Sequence, residues 1–182
     1  MKKITEMAHD LLMPYIHDQA ICADFTLGNG HDTEFLAQQA VNGMVYAFDI
    51  QEEALKKSME LLGERYNVKL ILDNHINLDQ YIHTKLDAAV FNFGYLPNGD
   101  STLTTKPQDS LYAVQKAFLC CKKHALLVLV FYPGHDLGKI EAESITAWCE
   151  SLSNQTARIM RIEMVNKPNA PFIYAIEKLL ED

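Results

Sequence analysis

No apolar run in this 182-residue chain is long enough to cross a bilayer. The strongest, HALLVLVFY, suits a buried strand. The segment MKKITEMAHDLLMPYIHDQA is interrupted by charges, His and Pro, so it lacks the apolar centre of a signal peptide, and a cytoplasmic location is expected. Metal-binding cysteine spacing is also missing. Cys120 and Cys121 are neighbours while Cys22 and Cys149 stand far off, so no CxxC pair exists, and the thiols read as small core residues. No other residues supply metal partners at a suitable spacing, and no metal is expected. Basic charge is scarce too, with 16 Lys and Arg against 24 Asp and Glu and a net charge of -8. That balance argues against nonspecific coating of nucleic acid, although it leaves room for a local basic patch. The chain has no repeat, low-complexity tract or linker.

What is present is ordinary for a globular protein: 48% hydrophobic and 22% charged residues, enough for one domain spanning residues 1–182. Short apolar runs alternate with longer amphipathic ones. ICADFT, GMVYAFDI, VKLILD, LDAAVFNF and HALLVLVFY read as strands. EMAHDLLMPYI, HDTEFLAQQAVN, QEEALKKSMELLGERY, PQDSLYAVQKAFLCCKK and ESITAWCESLSN read as helices, the first of them packed on a sheet edge. NHINLDQYIH is a short polar connection. ARIMRIEMV and FIYAIEKLL close the chain as two strands with no helix between them, which implies a hairpin and an antiparallel last strand. Pro107 at a helix start and Gly134 after the fifth strand are fitting punctuation. The expected fold is α/β, Rossmann-like, with a mostly parallel seven-stranded sheet.

Ligands of such sheets sit beyond the carboxyl ends of the strands, where strand order reverses. Four strand ends therefore matter: Asp24 to Gly30, Asp49, Asp73-Asn74-His75, and Asn92-Phe93-Gly94-Tyr95. Asp49 follows the glycine loop by about 20 residues, the spacing at which an acid meets a ribose hydroxyl, and it can also cap the helix behind it. NAD and S-adenosylmethionine both satisfy this much. The loop reads Thr26-Leu27-Gly28-Asn29-Gly30 rather than GxGxxG, with threonine where a pyrophosphate site has its first glycine. NFGY at the fourth strand end resembles the N-P-P-Y signature of amino-methyltransferases, without its prolines.

DFTLGNGHDT, AFDIQ, FNFGYLPNGD, TTKP, FYPGH and NKPNAPFIYAIEK occur in the same order as in a bacterial family long labelled rRNA methylase and now associated with tRNA wobble-uridine methylation. The resemblance covers nearly the whole chain. It implies a class I methyltransferase fold, S-adenosyl-L-methionine as cofactor, and tRNA as partner through its anticodon region. The implied reaction methylates the exocyclic amine of 5-aminomethyl-2-thiouridine to give the 5-methylaminomethyl product. A small-molecule N-methyltransferase, an rRNA methyltransferase, an NAD(P)-dependent oxidoreductase and a non-catalytic binding module are the alternatives, and a homodimer is left open.

Within that frame Gly28 and Gly30 let the backbone pass close to the cofactor's methionine part. Asn29 offers donor and acceptor to its amino-acid end. Thr26 either donates its hydroxyl nearby or is a β-branched strand terminus. Asp24 orders the loop or meets a cofactor ammonium through water, while Asp32 and Thr33 read as the start of a helix. Gln51 covers the adenosine, and Asn74 and His75 stand where adenine or ribose is contacted, His75 being equally readable as a solvated loop residue. Asn92 and Tyr95 are the catalytic candidates, Asn92 accepting from the amine through its amide oxygen. Phe93 and Tyr95 are candidates to stack on a base, with core packing the other reading of Phe93. Gly94 leaves room for a close approach. LPNGDSTLTTKP suits a lid, within which Lys106 can meet a phosphate. Tyr132 and His135 border the entrance. Lys122, Lys123, Lys139, Arg158, Arg161 and Lys167 are further cations, scattered in the manner of a solvated surface.

Overall fold

The computed structural model describes residues 1–94, 107–134 and 136–181, without the side chains of residues 136 and 137. Seven strands form one sheet: β1 (Ile21–Asp24), β2 (Met44–Asp49), β3 (Val68–Leu72), β4 (Leu86–Phe93), β5 (Cys121–Phe131), β6 (Ala157–Ile162) and β7 (Phe172–Lys178). Five α-helices join them: α1 (Ile4–Leu12), α2 (His31–Gln39), α3 (Glu52–Leu62), α4 (Pro107–Cys120) and α5 (Asp136–Ser151). A 3₁₀ turn at Met13–Tyr15 extends α1, and another at His75–Gln80 occupies the polar connection after β3.

The strand order is β3-β2-β1-β4-β5-β7-β6, parallel from β3 to β5 and antiparallel at β5–β7 and β7–β6. The order reverses between β1 and β4, so their carboxyl ends, Asp24 and Phe93, open the crevice. The expected antiparallel last strand is present, inserted inside the sheet rather than added at its rim. Burial explains the arrangement. FIYAI of β7 is buried at all five positions, whereas β6 carries Arg158 and Arg161 and alternates toward solvent. The apolar strand takes the slot paired on both sides, and the charged one blunts the edge.

Both faces of the sheet are covered, hence the continuous apolar run of β5, buried from Ala125 to Phe131. One face packs against α1 and α2: Ala8, Leu12, Leu36 and Ala37 meet Val45, Val90, Val128 and Ile173. The expectation that the first helix sits at a sheet edge is corrected here, since α1 lies over β5 and β7 inside the layer. The other face packs against the second 3₁₀ turn, α4 and α5. An aromatic ribbon crosses it close to the carboxyl ends, with Phe48, Phe25, Phe91, Phe93, Phe131 and Phe172 in sequential contact at 4.6–5.5 Å between ring centres.

Several helix boundaries differ from expectation: α1 spans Ile4–Leu12 rather than 6–16, α2 ends at Gln39 rather than Asn42, and α3 at Leu62 rather than Tyr66. The fourth helix stops at Cys120, because Cys121 already pairs with Leu86, and β5 bulges before Leu126 pairs with Ala88. His124, at φ 66°, lies in that bulge, where Lys122 meets the Asp87 carboxylate at 2.6 Å. α5 starts seven residues earlier than its amphipathic pattern indicates, at Asp136 rather than Glu143.

Candidate functional site

Backbone bonds to both neighbouring strands hang the loop between β1 and α2. Phe25 N–H donates to Val90 O (3.0 Å) and Leu27 N–H to Phe48 O (2.9 Å), and Gly30 N–H closes the turn on Leu27 O (2.8 Å). The turn needs left-handed backbone at Gly28 (φ 52°) and Gly30 (φ 86°), which glycine adopts without a Cβ penalty. A Cβ on Gly30 would lie 2.9 Å from Ser58 Oγ of α3, so Gly30 serves the packing of α3 beneath the loop. This packing role stands beside the ligand clearance expected of Gly30. Ser58 also donates to Gly28 O at 3.2 Å. Asn29 sits half-buried at the tip of the turn.

Asp24 is wholly buried and orders the loop: Oδ1 accepts from Thr26 N–H (3.0 Å) and Oδ2 from the Thr33 hydroxyl (2.6 Å). Asp49 does the same from β2, accepting from Gly28 N–H (2.9 Å) and Gln51 N–H (3.0 Å). Each Asp49 oxygen keeps a further lone pair for a ligand hydroxyl. Gln51 is the N-cap residue of α3. The Thr26 hydroxyl accepts from Asn92 N–H at 2.7 Å, which joins the loop to the end of β4.

Asn92 is the centre of a second set of contacts. Its Nδ2 donates to Asp32 Oδ2 (3.1 Å), and the same amide holds the Tyr132 pKa down against burial. Asp32 Oδ1 lies 2.6 Å from Nε2 of His9 in α1, whose ring stacks on Phe35 at 4.0 Å between centres. Asp32, expected only to begin α2, thus reaches the site, and His9 was not singled out at all. No local pattern joins residues 23 and 60 positions apart.

His75 is placed differently from a solvated loop residue. It is 5% exposed, donates Nδ1–H to Phe25 O at 2.8 Å, and has no partner at Nε2 among the described residues. Burial pulls its pKa down, which keeps the imidazole neutral. It ties the turn after β3 to the loop after β1. Asn74 caps that turn, its Oδ1 accepting from Ile76 N–H at 3.0 Å. Phe93 is 5% exposed and stacked between Phe91 and Phe131, so the expectation of direct base stacking is corrected to a core role. Gly94 is exposed beside Tyr132. Tyr95, Lys106 and His135 lie outside the described residues.

Electrostatics sort the ligands this crevice accepts. Complete burial first, and then the Asp32 charge, push the Asp24 carboxyl up to about 7, and Asp49 adds in the same sense. Burial also raises Asp49, opposed by its backbone hydrogen bonds, and burial followed by the Asp32 charge raises Tyr132. Asp24 feels both Asp32 and Asp49, and such a gathering of acids is a poor setting for a pyrophosphate and a suitable one for a cationic sulfonium ligand. The donor set and the left-handed Gly28 therefore fit S-adenosylmethionine better than NAD. Among the described residues no group of His, Cys, Asp or Glu is arranged to hold a metal ion. Burial raises all four thiols, those of Cys22, Cys121 and Cys149 to about 12, so they are inert at neutral pH.

The basic residues picked out in the sequence are mostly engaged in ion pairs: Lys122 with Asp87, Lys123 with Glu181, Lys139 with Glu143, Arg158 with Glu177 and Arg161 with Glu163. Lys122 and Lys123 begin β5, at the opposite end of the sheet from the crevice.

The Asp24 environment gives a pH signature. Its folded-state pKa of about 7 exceeds the ordinary 3.8, so its contribution to stability is present at low pH and is lost as pH rises from 3.8 through about 7. Asp24→Asn should remove that dependence. Urea unfolding from about pH 5 to about pH 8 should show the stability difference growing in the variant's favour, whereas a difference flat in pH would contradict the assignment. His75 acts in the opposite sense below its ordinary 6.5, but that contribution is common to both proteins and cancels.

Residues 45–177 match the sequence model of the family described as "Putative rRNA methylase". An Arabidopsis thaliana protein named "tRNA (mnm(5)s(2)U34)-methyltransferase, chloroplastic" is 31% identical, over 94% of this chain and 68% of its own length. A Clostridium thermocellum structure titled as a putative rRNA methylase superposes with a TM-score of 0.93 at 32% identity, covering 98% of this chain and 99% of the other. A Streptococcus mutans structure, titled as a putative methyltransferase in complex with SAH, gives a TM-score of 0.89 at 35% identity with the same coverage.

Proposed function

Because the chain belongs to the rRNA methylase family, we propose that it transfers a methyl group from S-adenosylmethionine to the primary amine of 5-aminomethyl-2-thiouridine at the tRNA wobble position. The product is the 5-methylaminomethyl nucleoside. The observation that carries the reading is the junction of Thr26 and Asn92, which puts an amide at the strand end bordering the acidic loop crevice. The name of the Arabidopsis relative supports the tRNA substrate, and the SAH complex of the Streptococcus relative supports the cofactor.

When bound, S-adenosylmethionine supplies an electrophilic methyl group carried by a cationic sulfur. Asp49 would hold the ribose hydroxyls, and the backbone at Gly28 and Asn29 the amino-acid end. Asn92 accepts an N–H of the substrate amine at its amide oxygen and so directs the nitrogen lone pair. Orientation of this kind is a large part of what an enzyme contributes to a displacement between two held groups. Tyr132 borders the approach to Asn92. A net charge of -8 favours a small-molecule amine as the second reading.

Two results separate these readings. Binding of tRNA that weakens steeply as salt rises marks a nucleic-acid substrate, since neutralised phosphates release counterions. Mass spectrometry of tRNA nucleosides from cells without the gene should show loss of the 5-methylaminomethyl nucleoside and accumulation of its aminomethyl precursor. An unchanged nucleoside profile would count against the tRNA reading.

Asp49→Ala should weaken binding of the demethylated cofactor, SAH, roughly tenfold or more, because a charged acceptor and an anchor of Gly28 are lost together. Calorimetric titration checks this, and unaltered affinity in a folded variant would reject the role.

A further inference from the structure

His9 and Asp32 lie before the stretch shared with the family model. They form a chain of contacts ending on the proposed reactive amide. His9 Nε2 is 2.6 Å from Asp32 Oδ1, and Asp32 Oδ2 receives Nδ2 of Asn92 at 3.1 Å. The side chains of His9 and Asp32 are 22% and 11% exposed, and His9 is further held by its stack on Phe35.

An asparagine amide has two faces of nearly equal shape, one that donates and one that accepts. A carboxylate oxygen only accepts, so Asp32 draws the Asn92 nitrogen toward itself. With its nitrogen directed to Asp32, the amide has its oxygen as the group left to receive an amine. His9 in turn keeps Asp32 from rotating away. We propose that Asp32, braced by His9, is a positioning residue that fixes the flip of the Asn92 amide so that its oxygen faces the substrate amine. This rests on the methyl transfer to an amine proposed above. It also gives α1 a function beyond covering the sheet, since the helix delivers the outermost member of the chain.

The alternative partner for Asp32 is the cofactor, and the test distinguishes the two. Asp32→Leu removes the acceptor at similar volume, while Asp32→Asn can still present an oxygen to Asn92. His9→Phe keeps the stack on Phe35 and loses the donor. Asp32→Leu should lower kcat for methylation of aminomethyl-bearing tRNA roughly tenfold to a hundredfold, while affinities for SAH and for tRNA lacking the aminomethyl group stay within about twofold. Asp32→Asn should recover most of that loss, and His9→Phe should show a smaller fall in the same direction. In nuclear magnetic resonance, with the Asn92 side-chain amide assigned by difference from Asn92→Asp, its protons should be protected from solvent exchange in the parent and lose that protection in Asp32→Leu. Parental kcat and protection in Asp32→Leu would overturn the inference, as would a loss of SAH affinity parallel to the loss of turnover. A parent protein with a protected Asn92 amide but no transfer to the aminomethyl tRNA would overturn the substrate reading instead.

Discussion

Replacing Asn92 with alanine should remove most methyl transfer, on the order of a hundredfold in kcat, while cofactor and tRNA affinities stay close to those of the parent. The expectation follows from what the side chain touches. Its nitrogen is directed at Asp32, so its oxygen is the group that meets the amine. A contact that matters chiefly for aligning the reacting nitrogen affects turnover more than ground-state binding. The backbone N–H that joins Asn92 to Thr26 is unaffected by the change, so the cofactor loop keeps its anchor on β4. Loss of a donor to the part-buried Asp32 costs about 1–3 kcal/mol, below the usual 5–15 kcal/mol of a domain, and the variant should remain folded. Single-turnover kinetics alongside separate titrations of SAH and tRNA measure the two effects. Near-parental turnover would remove Asn92 from the chemistry.

Gly28→Val should abolish measurable cofactor binding with a much smaller effect on folding. Gly28 stands at φ 52°, where a β-branched residue is a severe outlier. Relief of that strain moves the loop. Both polar groups of Gly28 are then displaced: the N–H given to Asp49 and the carbonyl that accepts from Ser58. Asp49 is the group proposed to hold the ribose, so one substitution disturbs the loop and the carboxylate together. Backbone strain of about 1–3 kcal/mol is within what a domain tolerates, which separates this loss from unfolding. Thermal unfolding and calorimetric titration with SAH on the same preparation give the answer. Parental affinity in the folded variant would show that this loop does not carry the cofactor.

The alternation of apolar runs revealed the sheet and its helices because a strand covered on both faces is apolar over most of its length, as in AAVF of β4 and ALLVLVF of β5. LDAAVFNF coincides with β4 from its first residue to its last. The place of β7 between β5 and β6 was legible in principle, since FIYAI is more apolar than ARIMRI, but neighbouring strands in sequence suggest simple addition to an edge. The end of α4 was obscured because Cys-Cys-Lys-Lys continues a helical pattern, and only pairing with Leu86 makes it a strand.

Within the site, residues next to glycines or strand ends could be found, because backbone geometry leaves a local trace. Asp24, Thr26, Asp49 and Asn92 belong to that group. His9 and Asp32 do not: their meeting depends on α1 crossing the sheet to reach the first turn of α2. Gly30 shows the converse. Its left-handed backbone was readable from the pattern, but its packing against Ser58 on the next helix was not. Phe93 and His75 look available for ligands on a strand end and in a loop, yet the aromatic ribbon and the Phe25 carbonyl draw both into the core.

The most direct measurement incubates the purified protein with S-adenosylmethionine and tRNA bearing 5-aminomethyl-2-thiouridine, then analyses the nucleosides by mass spectrometry. The account predicts a product heavier by one methyl group at the wobble nucleoside, formed by the parent and nearly absent with Asn92→Ala. It would be contradicted by parent protein that binds S-adenosylmethionine and leaves the aminomethyl nucleoside unchanged.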